Sequence, residues 1–71
     1  MALAPRSPEA HAALALAQLA AQKATLGHAV TELARYTALV KEDAAPQTMV
    51  DNWRYQKEAA EAGVLAAQAQ V

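Results

Sequence analysis

Residues 33–71 read LARYTALVKEDAAPQTMVDNWRYQKEAAEAGVLAAQAQV, and the predicted fold follows from this stretch. Two segments with helical spacing flank an acidic turn at Glu42 and Asp43, which Pro46 follows. Proline is well placed in the first turn of a helix and disrupts a helix interior, so a second helix is expected to begin near Pro46. A connection of about three to five residues joins antiparallel neighbours. The sequence predicts an all-α fold, an antiparallel two-helix coiled-coil hairpin with arms at about 8–42 and 46–70.

The predicted seam between the arms follows a seven-residue repeat. In the first arm it consists of Leu19, Leu26, Leu33 and Val40, with companions three residues earlier at Leu16, Lys23, Val30 and Thr37. In the second arm it consists of Val50, Lys57, Val64 and Val71, with Trp53, Ala60 and Ala67 between them. Trp53 is expected to fill the seam near the tip, with Tyr36 close to it across the hairpin.

The N-terminal segment 1–7 is predicted to be a flexible leader ahead of the first helix. Ser7, Pro8 and Glu9 form a typical helix start, with a capping hydroxyl, a proline and an acid in the first turn. The leader has no apolar core of the kind found in signal peptides. Gln18 and Gln22 interrupt the alanine-rich stretch behind it, so no membrane span is expected.

Composition narrows the range of functions. The chain has 71 residues, of which 21 are alanine, and its formal net charge is −1. Alanine buries little area but lets helices approach closely, which favours a thin seam over a globular core. The balanced charge offers no basic patch for phosphates, so no nucleic-acid partner is expected.

Catalysis and metal binding are not expected either. Cysteine is absent, and Ser7 is the sole serine in the sequence. His28 and Glu32 lie one turn apart, but the second histidine, His11, is far up the same arm, and zinc needs three or four ligands. A slender hairpin has no dry pocket and this one has no glycine-rich loop. The sequence therefore predicts no enzyme, no cofactor and no metal.

The region around the turn resembles the α-hairpin of membrane fusion proteins, the periplasmic adaptors of the haemolysin-secretion D (HlyD) type. The resemblance rests on three elements: Leu-Ala-Arg-Tyr-Thr-Ala-Leu at 33–39, Val-Asp-Asn at 50–52, and the closing Ala-Ala-Gln-Ala-Gln-Val at 66–71. It covers residues 12–71 and only the hairpin part of such an adaptor. The lipoyl-like, β-barrel and membrane-proximal domains of the family have no counterpart here.

The resemblance implies a function in tripartite efflux or type I secretion. The tip would dock an outer-membrane channel of the TolC-like kind, the flank would meet neighbouring adaptor hairpins in an oligomer, and an inner-membrane transporter would be reached through the absent domains. The implied location is the periplasm, at the cell envelope. The implied partner-binding residues at the tip are Arg35, Leu39, Glu42, Asp43 and Pro46. Pro46 stands where the family has a serine, so it can set the backbone there but cannot donate a hydrogen bond.

Two alternatives remain open from the residues alone. At the level of the site, Arg35 can simply pair with Glu32, and Leu39 can simply help to close the hairpin. At the level of function, the chain can be a free-standing helical hairpin, an assembly partner or co-chaperone of a secretion system, or an alanine-rich hairpin with no partner at all.

Overall fold

The computed structural model describes residues 8–71, and they form two α-helices joined by a short turn. Helix α1 spans Pro8–Lys41 and helix α2 spans Gln47–Gln68. The helices pack against each other along a body that measures 62 × 22 × 13 Å. The predicted all-α two-helix hairpin is confirmed, and the helix ends differ by one or two residues from the predicted arms. The predicted leader at residues 1–7 and the Ser7 cap lie outside the described residues.

Local sequence accounts for the length of α1. Its first residue is Pro8, Glu9 lies in the first turn and Lys41 in the last, an order that suits the helix dipole at both ends. Alanine, the best helix former, dominates the interior, and one internal glycine, Gly27, does not break it. Threonine hydroxyls donate to the carbonyl four residues earlier, so these side chains add no unpaired polar group: Thr25 to Ala21, Thr31 to Gly27 and Thr37 to Leu33.

The buried centre of the hairpin is thin. Five hydrophobic residues are buried, between 2% and 8% exposed, and four of them are alanines: Ala15, Ala29, Val50, Ala60 and Ala67. No large side chain among the described residues is fully buried. The helices are therefore held by close approach of their axes over small residues, and the stabilisation per residue from apolar burial is low.

Helix α2 presents the seam that its heptads predict. Val50, Ala60 and Ala67 are buried, and the positions between them, Trp53, Lys57 and Val64, are half-buried. Only the last predicted position is wrong: Val71 lies beyond the end of α2 at Gln68 and is 64% exposed.

The seam of α1 differs from the prediction in its companion positions. The main positions Leu19, Leu26, Leu33 and Val40 are half-buried as expected. Of the predicted companions, however, Leu16 is 54% and Val30 43% exposed, and Lys23 is exposed too; Thr37 alone is half-buried. The observed companions lie four residues before each main position, at Ala15, Gln22, Ala29 and Tyr36; Gln22 stays exposed but lies against Gly63 of α2. We call the eight residues of the observed seam the inner stripe: Ala15, Leu19, Gln22, Leu26, Ala29, Leu33, Tyr36 and Val40.

The physical reason for the change is the size of the side chains. A repeat every seven residues can be completed on either side, three or four residues before each leucine. The side with Ala15 and Ala29 lets α2 come close, whereas the side with Leu16 and Val30 would hold it away. Gly63 of α2 shows the same tight approach, because a Cβ built on it would lie 2.5 Å from Oε1 of Gln22.

Candidate docking site at the hairpin tip

The turn between the helices is a closed hydrogen-bonded structure. The amide of Ala44 donates to the carbonyl of Leu39 over 2.8 Å, and the amide of Asp43 donates to the carbonyl of Val40 over 3.0 Å. Asp43 has φ of 55°, the left-handed conformation that ends many helices. These two bonds and this conformation make a Schellman motif, which satisfies the last carbonyls of α1 and sends the chain back toward α2.

Pro46 lies immediately before α2 and does not belong to its first turn. Its backbone is extended, with φ −76° and ψ 152°, and it occupies the capping position, so the prediction that it sits inside the first turn is wrong by one residue. The carbonyl of Pro46 accepts a hydrogen bond from the amide of Met49 over 3.0 Å, but no side chain caps the helix. The other amides of this first turn are therefore left for water or a partner.

Leu39 contributes to the turn mainly through its backbone. Its carbonyl accepts from the amides of both Glu42, over 3.1 Å, and Ala44, over 2.8 Å. Its side chain is half-buried, so part of it faces solvent beside the turn. Leu39 thus helps to close the hairpin, as the simpler interpretation holds, and still offers some apolar surface.

Arg35 lies six residues before the end of α1 at Lys41, which places its Cα about 9 Å back from the helix end. Its guanidinium lies 3.6 Å from the carboxylate of Glu32 and 5.7 Å from the ring centroid of Tyr36. The side chain remains 64% exposed. The structure therefore groups Leu39, Glu42, Asp43 and Pro46 at the tip and sets Arg35 on the side of the arm, with the Glu32 contact that the simpler interpretation predicted.

The tip itself is exposed and carries two carboxylates. Glu42, Asp43 and Pro46 are all exposed, and Lys41 beside them is exposed as well. With Arg35 behind them, the end of the hairpin presents both signs of charge around a small apolar patch. This combination suits a polar contact with other protein chains.

The aromatic contact across the seam differs from the expected one. Trp53 is half-buried in the seam as predicted, but its ring meets His28, with centroids 5.3 Å apart and planes at 84°. Within residues 8–71, the indole Nε1 of Trp53 is buried and has no hydrogen-bond partner. His28 itself is exposed.

Two features of the flanks were missed by sequence reasoning. One is an open groove of about 310 Å³, which we call the Leu65 groove; its lining residues are Leu26, Glu61, Val64, Leu65 and Gln68. The other is a second row of residues on α1, beside the inner stripe, which we call the outer stripe: Leu16, Ala20, Lys23, Gly27, Val30 and Ala34. The signal for the outer stripe was present, since its leucine, lysine and valine are the companions that were assigned to the seam.

The described residues give no sign of a metal centre or a membrane span. Over residues 8–71, no three side chains of histidine, aspartate or glutamate are grouped so as to hold a metal ion. Neither α1 nor α2 is apolar enough along its length to cross a bilayer. Comparison with known proteins adds no further information, because no family model, no curated protein and no solved structure matches the chain.

Proposed function

We propose that the chain works as the α-helical hairpin of a periplasmic adaptor of the membrane-fusion type, in tripartite efflux or type I secretion. In this role the tip docks an outer-membrane channel and the flank meets neighbouring hairpins. The observation that carries the proposal is the bend at residues 42–46, which projects Leu39, Glu42, Asp43 and Pro46 at the end of a body 62 Å long. The motif 33–39 that resembles the family lies directly before this bend.

Arg35 is available for docking despite its contact with Glu32. The separation of 3.6 Å is longer than that of a strong charge-assisted hydrogen bond, and the guanidinium is largely in solvent. Such i,i+3 pairs on a helix contribute only about 0.2–0.5 kcal/mol, so exchange of Glu32 for a carboxylate or a helix-end carbonyl of a partner costs little. Its planar fork gives that contact a fixed direction.

The spacing of the site residues defines the shape of the partner. Arg35 lies about 9 Å behind the end of α1, whereas Glu42 and Asp43 lie at the tip. A partner that contacts all of them must overlap the last two turns of α1 as well as the bend. The end of a helical hairpin on the channel, laid against this side of the tip, meets that requirement.

The test is direct binding of the purified chain to a purified TolC-like channel in detergent, measured by surface plasmon resonance. Arg35→Asp and Leu39→Ala are each expected to weaken binding at least about tenfold. Arg54→Asp is the matched control, because Arg54 also has an i,i+3 carboxylate partner, Asp51, and is 59% exposed. Leu14→Ala is the control for Leu39, since Leu14 is 41% exposed on the same helix and far from the bend.

Pro46→Ser sharpens the same test. The family resemblance places a serine at this position, and a hydroxyl there can cap α2 or donate to the channel. We expect this variant to bind the channel more tightly than the natural chain. Binding that none of the tip changes alters would contradict the tip assignment and favour the alternative, a free-standing assembly partner.

A further inference from the structure

The outer stripe of α1 has the spacing of a helix-packing seam but faces no helix in the hairpin. Its six positions, 16, 20, 23, 27, 30 and 34, alternate in steps of four and three, and all are exposed. Leu16 is 54% and Val30 43% exposed, and a Cβ built on Gly27 would meet nothing within 4 Å. Large apolar side chains beside small ones give a surface on which a second helix can pack closely.

The Leu65 groove lies on the same side of the hairpin as the outer stripe. Leu26 of α1 lines that groove, and Lys23 and Val30 are its neighbours one turn away on the helix surface. Leu65, from α2, is 67% exposed at the other edge. One face of the hairpin therefore carries the outer stripe on α1 and an exposed leucine on α2, with a groove between them.

The outer stripe and the Leu65 groove lie at the same position along the hairpin axis. Gln22 contacts the position of Gly63, so Lys23 of the antiparallel α1 lies at about the level of Ala62, next to Glu61. By the same register, Leu65 lies at the level of Ala20. A cation on one helix thus stands level with an anion on the other, and an exposed leucine stands level with an exposed alanine.

The thin centre of the hairpin leaves large apolar side chains uncovered on this face, with Leu16 54% and Leu65 67% exposed. An isolated two-helix hairpin also has little core of its own, which makes association favourable.

We propose that two copies of the chain pair face to face, about a two-fold axis that runs along the hairpin, with both tips pointing the same way. This symmetry lays the outer stripe of each copy over the Leu65 groove of the other. Because the axis runs along the hairpin, each residue keeps its position along that axis. Lys23 of each copy then faces the partner's Glu61, so the dimer contains two such pairs. Leu65 of each copy packs over the partner's Ala20. The result is a four-helix bundle in which every neighbouring helix is antiparallel. The pairing rests on the flank contact of the proposed function and gives it a definite form. It uses no tip residue and needs no channel, so its failure and the failure of tip docking are distinguishable.

The first test is sedimentation equilibrium of the full chain from micromolar to millimolar concentration. We expect a dimer of twice the chain mass of 7.5 kDa. Leu65→Gln is expected to weaken the dimer at least about tenfold, because it removes a buried leucine from the interface. Tyr55→Gln is the control, since Tyr55 is 69% exposed on α2 and lies outside the face. A monomer throughout, or equal effects of the two changes, would overturn the proposal.

Charge reversal tests the register. Lys23→Glu and Glu61→Lys should each weaken the dimer, and the double variant should restore it, because each places like charges opposite each other and together they re-form the pairs. Both side chains lie on exposed or groove-lining positions, and circular dichroism of each variant confirms that the hairpin is intact. A double variant no tighter than the singles would overturn the assigned register.

The direction of the tips is tested separately. The chain has no cysteine, so Ala44→Cys gives a single spin label at the tip. With tips pointing the same way, the two labels lie less than about 30 Å apart, because neighbouring helix axes are ~10 Å apart. With tips opposed, they would be separated by nearly the full hairpin length of 62 Å. A long distance in pulsed electron resonance would overturn the proposed arrangement.

Discussion

The inner and outer stripes of α1 share one helix and one spacing, yet α2 packs against the inner stripe and leaves the outer stripe exposed. Both alternate in steps of four and three, and both contain apolar residues. The inner stripe carries Ala29, which is 2% exposed, whereas the outer stripe carries Leu16, which is 54% exposed. The small companions Ala15 and Ala29 therefore favour the inner stripe as the one that α2 covers, and larger apolar side chains are not always the buried ones.

The largest expected difference between the stripes comes from filling an alanine. Ala29→Leu should lower the free energy of unfolding by about 1–3 kcal/mol, because the added atoms force the helix axes apart. Ala34→Leu adds the same atoms to the outer stripe, where the side chain is exposed, and should change stability by less than ~0.5 kcal/mol. Urea unfolding followed by circular dichroism, at one fixed protein concentration low enough to keep the chain monomeric, measures both. Equal losses would break the assignment of the two stripes.

The two glycines sharpen the comparison at a smaller scale. Gly27→Ala on the outer stripe should stabilise the chain by about 1 kcal/mol, since alanine is the better helix former and nothing lies near the new Cβ. Gly63→Ala on α2 should stabilise the chain less, because the new Cβ would lie 2.5 Å from Oε1 of Gln22, which must move aside. Thermal unfolding of the two variants, compared side by side, shows whether the Gln22 contact is tight in solution.

The turn sends the chain back toward α2, and Asp43 tests its contribution to stability. Asp43 has φ of 55°, so Asp43→Gly should be more stable than Asp43→Ala by about 1 kcal/mol, because glycine adopts this conformation without strain. The same urea titrations measure the difference. If the two variants were equally stable, the left-handed turn would not contribute to stability in this way.

The smallest expected effect concerns the ion pair at the edge of the inner stripe. Glu32→Gln should lower stability by only about 0.2–0.5 kcal/mol, because Arg35 is 64% exposed and its contact with Glu32 is 3.6 Å long. The loss should shrink further at high salt. Asp51→Asn removes the partner of Arg54, a pair 4.0 Å apart with both ends about 60% exposed, and should have a smaller effect still. A loss above 1 kcal/mol for Glu32→Gln would mean that Arg35 is held too firmly to serve a partner.

Much of the fold could be predicted from sequence because its signals are local. Pro46, the acidic residues before it and the heptads on both sides each indicate two helices and a bend, and the structure confirms that architecture. The seam of α2 was also predictable, since its valines Val50 and Val64 and its one tryptophan, Trp53, all lie on one row. When local signals of this kind agree, the fold of a short chain can be predicted from its sequence.

The seam of α1 could not be predicted as well, because α1 has two candidate rows. Leu26 belongs to a repeat that can be completed by Val30 and Lys23 on one side or by Ala29 and Gln22 on the other. The choice depends on the fit of α2 across the seam, which is a tertiary property. Likewise, the ring that meets Trp53 is His28, and its proximity follows from the register of the two helices rather than from any local motif.

The sequence predicted which residues lie near the tip, but it did not predict their spatial arrangement. The spacing in sequence places Arg35 and Leu39 one helical turn apart. The structure shows that the carbonyl of Leu39 helps to close the chain reversal, whereas Arg35 lies about 9 Å behind the end of α1. The single-residue error at Pro46 has a similar origin, since proline is compatible with both the capping position and the first turn.

The flat cross-section of the hairpin has a mechanical consequence. A body 22 Å wide and only 13 Å thick resists bending within its plane far more than across it, because the stiffness of a beam rises steeply with its depth. Thermal swings of the far end are therefore directed mostly perpendicular to the plane of the two helices. The turn at Asp43 would therefore move mainly along one direction, perpendicular to the plane of the helices. A partner bound to the broad face would reduce that motion.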